Sequence, residues 1–538
     1  MTSHPPWFTA RTPTAAQCSI RQQLERRAAE RPHDIFAIFE DGQQWSCADT
    51  LDQTRRAAAA LQRLGVRRGD IVLAWLPNGP AMLRAWFAIN YLGAVYSPLN
   101  VAYRGGVLSH IIRNSGARLI IAHAMLASRL VDIDRGDLAT LIAIGGATPD
   151  LPGLTCLAAD ALDGDPSKLD ASDAVQPWDI AAVIYTSGTT GPSKGVLAPY
   201  AQLWTVAVAH FGYMQASDRM LLMTPLAHIS PISGLIAALT QDASVVIQER
   251  FRTDAFWTVV REHDVTTVPG MGPAIMDFLM KEPPRSDDAD NPLRMVNVRC
   301  ANATVQAFAR RFGVDYFGSF SMSETSVITI QDVNSNVLGS CGRPRDGVEV
   351  RIVDAHDMET PVGAVGEIVV RSHHPWTLNA GYLNAPEATV RAWRNGWFHT
   401  GDAGRRDADG NVYFVDRLKD SIRRRGENIS SLEVEQEAVA FPAVLDAAAI
   451  GVPGSSDDEE VLLAVSPRPG HRIDPAELLR FLIPRMAHFM APRYIRVLEE
   501  LPRTLSNKVQ KNDLRAQGVT PDAWDREKAA ISIRAERF

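Results

Sequence analysis

Residues 185–196 read YTSGTTGPSKGV, directly behind the apolar run IAAVI at 180–184. A run of that length reads as a buried strand, and the glycines, hydroxyls and lysine after it read as a loop able to meet an anion. Gly188, Gly191 and Gly195 would let backbone N–H groups approach a ligand closely, while Thr186, Ser187, Thr189 and Thr190 add hydroxyl donors. The G-x-x-x-x-G-K-[ST] phosphate loop is excluded, because Pro192 and Ser193 separate Gly191 from Lys194 and Gly195 follows the lysine. By composition alone a plain flexible Gly/Ser/Thr connection fits equally well. The rest of the chain has to decide.

Upstream, residues 51–64 carry a helical pattern with Thr50 as N-cap and Gly65 as stop, and IVLAWL at 71–76 follows as a buried strand. The cycle repeats with a helix over 81–92, the strand AVYSPL, a helix over 108–114 and the strand RLIIA. Strands and helices alternating at this spacing predict βαβ units and a largely parallel sheet. KEPPRSDDADNP at 281–292 reads as a surface loop. Near residues 416–420 the strand NVYFV gives way to the charged stretch DRLKDSIRRRGEN, after which LEVEQEAVA, VLDAAAIGVP, VLLAVSP, AELLRFLIPRMA and YIRVLEELP set up a second α/β rhythm. The chain of 538 residues therefore divides into 1–416 and 417–538, each long enough for its own core. No internal repeat is present.

With 46% hydrophobic and 22% charged residues, the composition is that of an ordinary soluble globular protein. The formal net charge of -7 with dispersed Lys and Arg speaks against a nucleic-acid partner. Five cysteines (Cys18, Cys47, Cys156, Cys300 and Cys341), odd in number and without C-x-x-C spacing, predict reduced thiols rather than a disulfide framework or zinc site. The N-terminus has no secretory pattern and no apolar run reaches the length of a membrane span, so a cytoplasmic protein without membrane insertion is expected.

YTSGTTGPSKGV closely resembles the phosphate-binding signature of the adenylate-forming superfamily, which comprises acyl-CoA synthetases, peptide-synthetase adenylation domains and firefly-type luciferases. Five further segments fit that family in order: PLAHISP (225–231), SMSET (321–325), GWFHTGD (396–402), DRLKDSIRRRGENISSLEVE (416–435) and PRTLSNKVQK (502–511). The resemblance implies a large N-terminal domain of parallel and mixed sheets layered with helices, with a β-barrel-like part, and a small mobile C-terminal α+β domain. It implies a two-step reaction: a carboxylic acid attacks the α-phosphate of ATP to give acyl-AMP and pyrophosphate, and a thiol, here coenzyme A, then displaces AMP.

Residue by residue, the resemblance gives the β- and γ-phosphates to Thr186, Ser187, Gly188, Thr189, Thr190 and Lys194, and Mg²⁺ to Glu324. Phe320 and Ser323 fall at the adenine-side motif, and Asp402 and Arg417 at the ribose. Lys508 is the catalytic lysine that bridges carboxylate and α-phosphate as charge builds. His228 is the gate between ATP and the acyl pocket. Lys419 marks the hinge, Gly426 the place where the pantetheine arm passes close to backbone, and Arg423, Arg424 and Arg425 either meet phosphates of CoA or form a solvated basic face.

The pattern departs from the family at Phe320-Ser321, at Ser323, at the adenine loop 300–303 and at Asn507, which replaces a glycine. RRRGENISSLEVE and SMSET look most like the branch of bacterial carnitine- or crotonobetaine-CoA ligases. An aromatic cage for a quaternary ammonium could be sought in Tyr200, Trp204, Phe211 and Tyr213, but their spacing also describes a helix packed on the core. The competing functions are a non-catalytic nucleotide-binding regulator with the same fold and an adenylating enzyme with an acceptor other than CoA. The sequence does not fix the oligomeric state, a homodimer being one option.

Overall fold

Apolar strings separated by amphipathic helices build the first sheet. The computed structural model describes residues 7–171, 174–186, 192–417, 421–425, 427–454, 458–502 and 509–533. Seven strands lie in the spatial order Thr155–Leu157, Thr140–Ile144, Leu119–His123, Ile71–Trp75, Val95–Pro98, Ile180–Thr186 and Lys194–Pro199. All neighbours are parallel except the last pair, the hairpin that carries the glycine-rich stretch. The predicted βαβ rhythm is therefore present.

A strand turns alternate side chains to opposite faces, and both faces of this sheet are covered. Val72, Ala74, Ala182 and Ile184 pack against the helices Pro80–Tyr91, Tyr200–Phe211 and Ile229–Thr240, while Leu73, Trp75, Val183 and Tyr185 face the other way. Those helices are shared with a second, nine-stranded sheet, parallel at its centre and antiparallel at its edges. Its outer face carries Leu221, Val246, Val296 and Val298, covered by Phe256–Glu262 and Ala303–Phe312. The part expected to be barrel-like is a four-stranded antiparallel sheet of Val348–Val353, Gly366–Ser372, Phe398–Arg406 and Val412–Arg417.

Helix Tyr200–Phe211 is buried on every side, the mark of a core helix. Tyr200, Trp204 and Phe211 belong to the central core, and the Tyr213 ring meets Trp7 and Phe317 edge-on. The aromatic set is core packing and not a cage.

Two sequence expectations are corrected. The helix predicted over 51–64 begins earlier, at Cys47, because Ser46 and Asp49 form a reciprocal capping box, and Thr50 sits inside the helix with its hydroxyl donating to Ser46 O at 2.7 Å. The five cysteines are not all reduced: Cys300 and Cys341 are joined as a disulfide, with Cα atoms 4.8 Å apart, leaving Cys18, Cys47 and Cys156 free. The reason is tertiary. Cys341 is held beside the strand at Val412, whose carbonyl accepts its N–H, and the chain returns there after 41 residues, a proximity that no cysteine spacing encodes.

The smaller C-terminal part consists of the hairpin Ser421–Arg424 and Glu427–Ser430, the helix Ser431–Val439, and a sheet of Val444–Pro453, Glu459–Pro467, Tyr494–Val497 and Trp524–Asp525 with the helices Pro475–Leu482 and Lys511–Gln517. Its two central strands divide their side chains cleanly. Ala447, Ala449, Val461, Leu463 and Val465 join the core cluster that includes Trp75 and Leu108 of the large part. Ala448, Ile450, Val452, Leu462 and Ala464 face outward, onto Leu501, Val509 and Leu514. One face of this sheet thus looks toward the large domain, and the other carries the segments that flank Lys508.

No helix among the described residues is long and apolar enough to cross a membrane.

Candidate active site

The glycine-rich stretch is the tip of the antiparallel hairpin, whose register places Thr186 directly opposite Lys194. Ser187, Gly188, Thr189 and Thr190, between them, lie outside the described residues. Thr186 Oγ1 donates to Glu324 Oε1 at 3.5 Å, and the Tyr382 hydroxyl donates to the same oxygen at 3.2 Å. Lys194 Nζ stands 5.2 Å from the centroid of the Tyr382 ring. Glu324 is buried in the turn between the strands Asp315–Met322 and Ser326–Ile330, and its carbonyl accepts from both the N–H and Nδ2 of Asn379 at 2.9 and 2.7 Å. Ser326, just past it, holds φ 64°, a left-handed value seldom taken by a non-glycine residue and a sign of constraint at this turn.

The sequence-predicted residues Thr186, Lys194 and Glu324 are therefore brought together, around a tyrosine that sequence reasoning missed. In sequence Tyr382 is only an aromatic after Gly381 in an irregular segment. Its role comes from a bridge to Val196 that lays the segment along the hairpin. Ser323 precedes Glu324 and its carbonyl accepts from Gln202 Nε2 at 2.8 Å. Phe320, on the strand leading to this turn, is buried, with the Arg299 guanidinium 5.8 Å from its ring.

Asp402 is fully buried in the four-stranded sheet, its N–H bonded to Thr400 Oγ1 at 3.1 Å. Its cross-strand partner in register is Arg417. The expected ribose pair therefore occupies facing positions on adjacent strands, although the Arg417 side chain lies outside the described residues.

His228 is the N-cap of the helix Ile229–Thr240, and its Nε2 meets Glu427 Oε1 at 3.2 Å. Asn100 Nδ2 donates to the same carboxylate oxygen at 3.2 Å. Glu427 opens the second strand of the C-terminal hairpin, so this contact ties the small domain to the residue expected as the gate. Burial alone disfavours the imidazolium, but the adjoining Glu427 carboxylate outweighs it and raises the His228 pKa. Burial likewise opposes ionisation of Glu427, and His228 outweighs it, holding the carboxyl below its usual range.

The pair's stabilisation is therefore fully present below the ordinary imidazole pKa of about 6.5 and fades as pH rises through the raised His228 value. At the acid end it fades as pH falls through the lowered Glu427 value. Hydrogen exchange of the 427–430 amides, corrected for intrinsic rates, is expected to show protection falling as pH passes above that of the His228 titration. Glu427→Gln should flatten that profile, and an unchanged profile in the variant would refute the assignment.

The small domain also docks on the same end of this hairpin as carries Thr186 and Lys194. Ser193 N–H donates to Glu433 Oε1 at 3.0 Å, the Ser193 hydroxyl bonds to the same oxygen, and Gly106 N–H donates to Glu437 Oε1 at 3.0 Å. Between the two parts lies a cavity of ≈ 340 Å³, walled by Asn78, Leu99 and Ala227 of the large domain and by Arg424, Glu427 and Phe489 of the small one. Of the basic triplet, Arg424 is buried and paired with Glu460 at 2.7 Å, whereas Arg423 and Arg425 are exposed. Lys419, Gly426, Lys508 and the Asn507 departure lie outside the described residues.

Thr186 and Lys194 facing each other across a hairpin, the buried carboxylate of Glu324 beside them, Asp402 buried opposite Arg417 and a separate smaller domain are the arrangement expected of a nucleotide-dependent activating enzyme. Sequence profiles agree: one described as AMP-binding enzyme matches residues 24–383, and one described as AMP-binding enzyme C-terminal domain matches residues 433–508. The chain belongs to the AMP-binding enzyme family, among its adenylate-forming acyl-CoA ligases. It is 32% identical to a crotonobetaine/carnitine–CoA ligase of Salmonella arizonae over 92% of this chain and 98% of that one, and 30% identical to one from Escherichia coli with the same coverage. Among solved structures it resembles a double mutant of o-succinylbenzoate CoA synthetase from Bacillus subtilis bound with a product analogue (25% identity, TM-score 0.76, 92% and 98% covered). It also resembles the amide bond synthetase McbA from Marinactinospora thermotolerans (26% identity, TM-score 0.78, 92% and 99% covered).

Proposed function

We propose that the chain activates a small carboxylic acid with ATP and passes the acyl group to coenzyme A in two half-reactions at one site. In the first, the carboxylate oxygen attacks the α-phosphorus, an acyl-AMP forms and pyrophosphate leaves. In the second, the CoA sulfur attacks the acyl carbon and AMP leaves. Thr186, Ser187, Gly188, Thr189, Thr190 and Lys194 hold the departing pyrophosphate. Glu324 is a suitable Mg²⁺ ligand, being a buried carboxylate already aimed at the loop by Thr186 and Tyr382. Mg²⁺ supplies charge neutralisation of the phosphate oxygens when bound. Phe320 and Ser323 border adenine, and Asp402 and Arg417 take the ribose hydroxyls. Lys508 balances charge at the α-phosphate, and the chain turns near Lys419 between the half-reactions, dividing at 416/417. A cytoplasmic location fits this chemistry.

The single observation that carries the reading is the contact of His228 with Glu427, a residue that lines the cavity between the domains. It supports the arrangement of the thiol step, in which the hairpin bearing Gly426 faces the gate and the cavity admits the pantetheine arm.

The test is a panel of short, medium, branched, aromatic, sterol-derived and betaine acids with ATP, Mg²⁺ and CoA, read by pyrophosphate release and by thioester mass. At least one acid should give AMP and a CoA thioester. Pyrophosphate release without a thioester for every acid would point to another acceptor, such as an amine, and no turnover with any acid would leave the nucleotide-binding regulator. For the ribose pair, Asp402→Asn is expected to raise the KM for ATP roughly 10- to 100-fold, the worth of a hydrogen bond to a charged group. An unchanged KM would remove Asp402 from the site.

A further inference from the structure

Granted the thiol cavity proposed above, we infer that Arg526, in the tail beyond the family's C-terminal profile, takes up a phosphate of the nucleotide half of coenzyme A. The profile ends at residue 508, but the chain returns to the cavity: Trp524–Asp525 pairs antiparallel with Tyr494–Val497 as an edge strand, and Ile531 and Ile533 pack onto the core cluster shared by both domains. Arg526 N–H donates to Arg493 O at 3.0 Å, and its own carbonyl accepts from Ile531 N–H at 3.1 Å. The backbone is thus pinned on both sides. Arg526 and Ile533 line the cavity.

The Arg526 side chain is in an uneconomical position for a purely structural arginine. The residue is only 6% exposed, and its buried Nε has no hydrogen-bond partner among the described residues. The carboxylates that attract it, Glu460 and Glu527, are bonded to other arginines, Glu460 to Arg424 at 2.7 Å and Glu527 to Arg493 at 2.8 Å, and burial outweighs their pull, so the Arg526 pKa is lowered. A buried guanidinium whose nearby carboxylates do not offset its lost hydration is unfavourable, and an anion entering the cavity would restore the balance. Its planar fork matches phosphate oxygens two at a time, and Arg104 and Arg250 line the same cavity from the large domain. A polyanionic head held between these walls would leave the apolar surface of Leu99, Ala227 and Phe489 for the uncharged arm.

The experiment is calorimetric titration of the full chain, with AMP present, by coenzyme A, dephospho-CoA and pantetheine. Arg526→Gln should bind coenzyme A at least about tenfold more weakly and leave pantetheine unchanged, with Arg526→Lys intermediate. Loss confined to coenzyme A assigns the 3′-phosphate, and equal loss for dephospho-CoA assigns the pyrophosphate; both support the role. The melting temperature of the ligand-free variant should hold or rise, since burial of the guanidinium outweighs the attraction of Glu460 and Glu527. Arg526→Met, of similar length, is read in the same way should the glutamine variant fold poorly. Unchanged CoA affinity, or equal weakening of coenzyme A and pantetheine, would overturn the inference while leaving the ligase reading standing. Failure of the wild-type chain to bind coenzyme A would overturn the cavity reading and Arg526 with it.

Discussion

Lys508→Ala is expected to lower acid-dependent pyrophosphate release by on the order of 10²- to 10³-fold, the typical loss on removing one preorganised charge-stabilising donor. Transfer from a supplied acyl-adenylate to coenzyme A should stay close to wild type, as should ATP binding. The physical basis is the division of the small domain's sheet. Its inward side chains, Ala447, Ala449 and Val461 among them, join the core shared with the large domain, whereas Leu501, Val509 and Leu514 pack on the outward face. Gln510 N–H closes the segment by donating to Pro502 O at 2.7 Å. Glu427 of the hairpin meets His228 while the flanks of Lys508 are on the opposite face of the sheet, so under the proposed function the two half-reactions draw on different surfaces of the small domain. Equal loss of both half-reactions would contradict this division.

Glu460→Ala is expected to destabilise the small domain by about 3–5 kcal/mol, the range for removing one partner of a buried ion pair. Arg424 and Glu460 are both nearly inaccessible and 2.7 Å apart, and Arg424 NH1 also donates to the carbonyls of Phe489 and Ala491 at 3.0 and 2.9 Å. Burial pushes the Arg424 pKa down to about 10, with Glu460 opposing, so the side chain remains cationic at neutral pH. Removing the carboxylate strands that charge at the base of the hairpin that carries Glu427. Urea unfolding should show an early small-domain transition, and thioester formation should fall more than pyrophosphate release. A loss under about 1 kcal/mol would mean that the backbone carbonyls alone hold the arginine.

Much of the fold was legible because parallel strands buried on both faces are written as short continuous apolar strings. IVLAWL and IAAVI became Ile71–Trp75 and Ile180–Thr186 within a residue or two of where their composition put them. Misreading fell where two local signals competed. Thr50 has a capping residue's chemistry, yet Ser46 and Asp49 satisfy each other and win the helix start. The proximity of Thr186, Lys194 and Glu324 was legible because their motifs are contiguous. Tyr382, Asn100 and Glu427 were not, since each acquires its role only when segments far apart in sequence meet, as Asn100 and Glu427 do across 327 residues. The Cys300–Cys341 pair escaped for the same reason.

The most direct test of the central claim is exchange of radiolabelled pyrophosphate into ATP, measured with an accepted acid in the absence of coenzyme A. Rapid acid-dependent exchange is expected, falling on the order of 10²- to 10³-fold in Lys508→Ala and retained in Arg526→Gln. Exchange that requires coenzyme A, or turnover that yields ADP and phosphate, would contradict it.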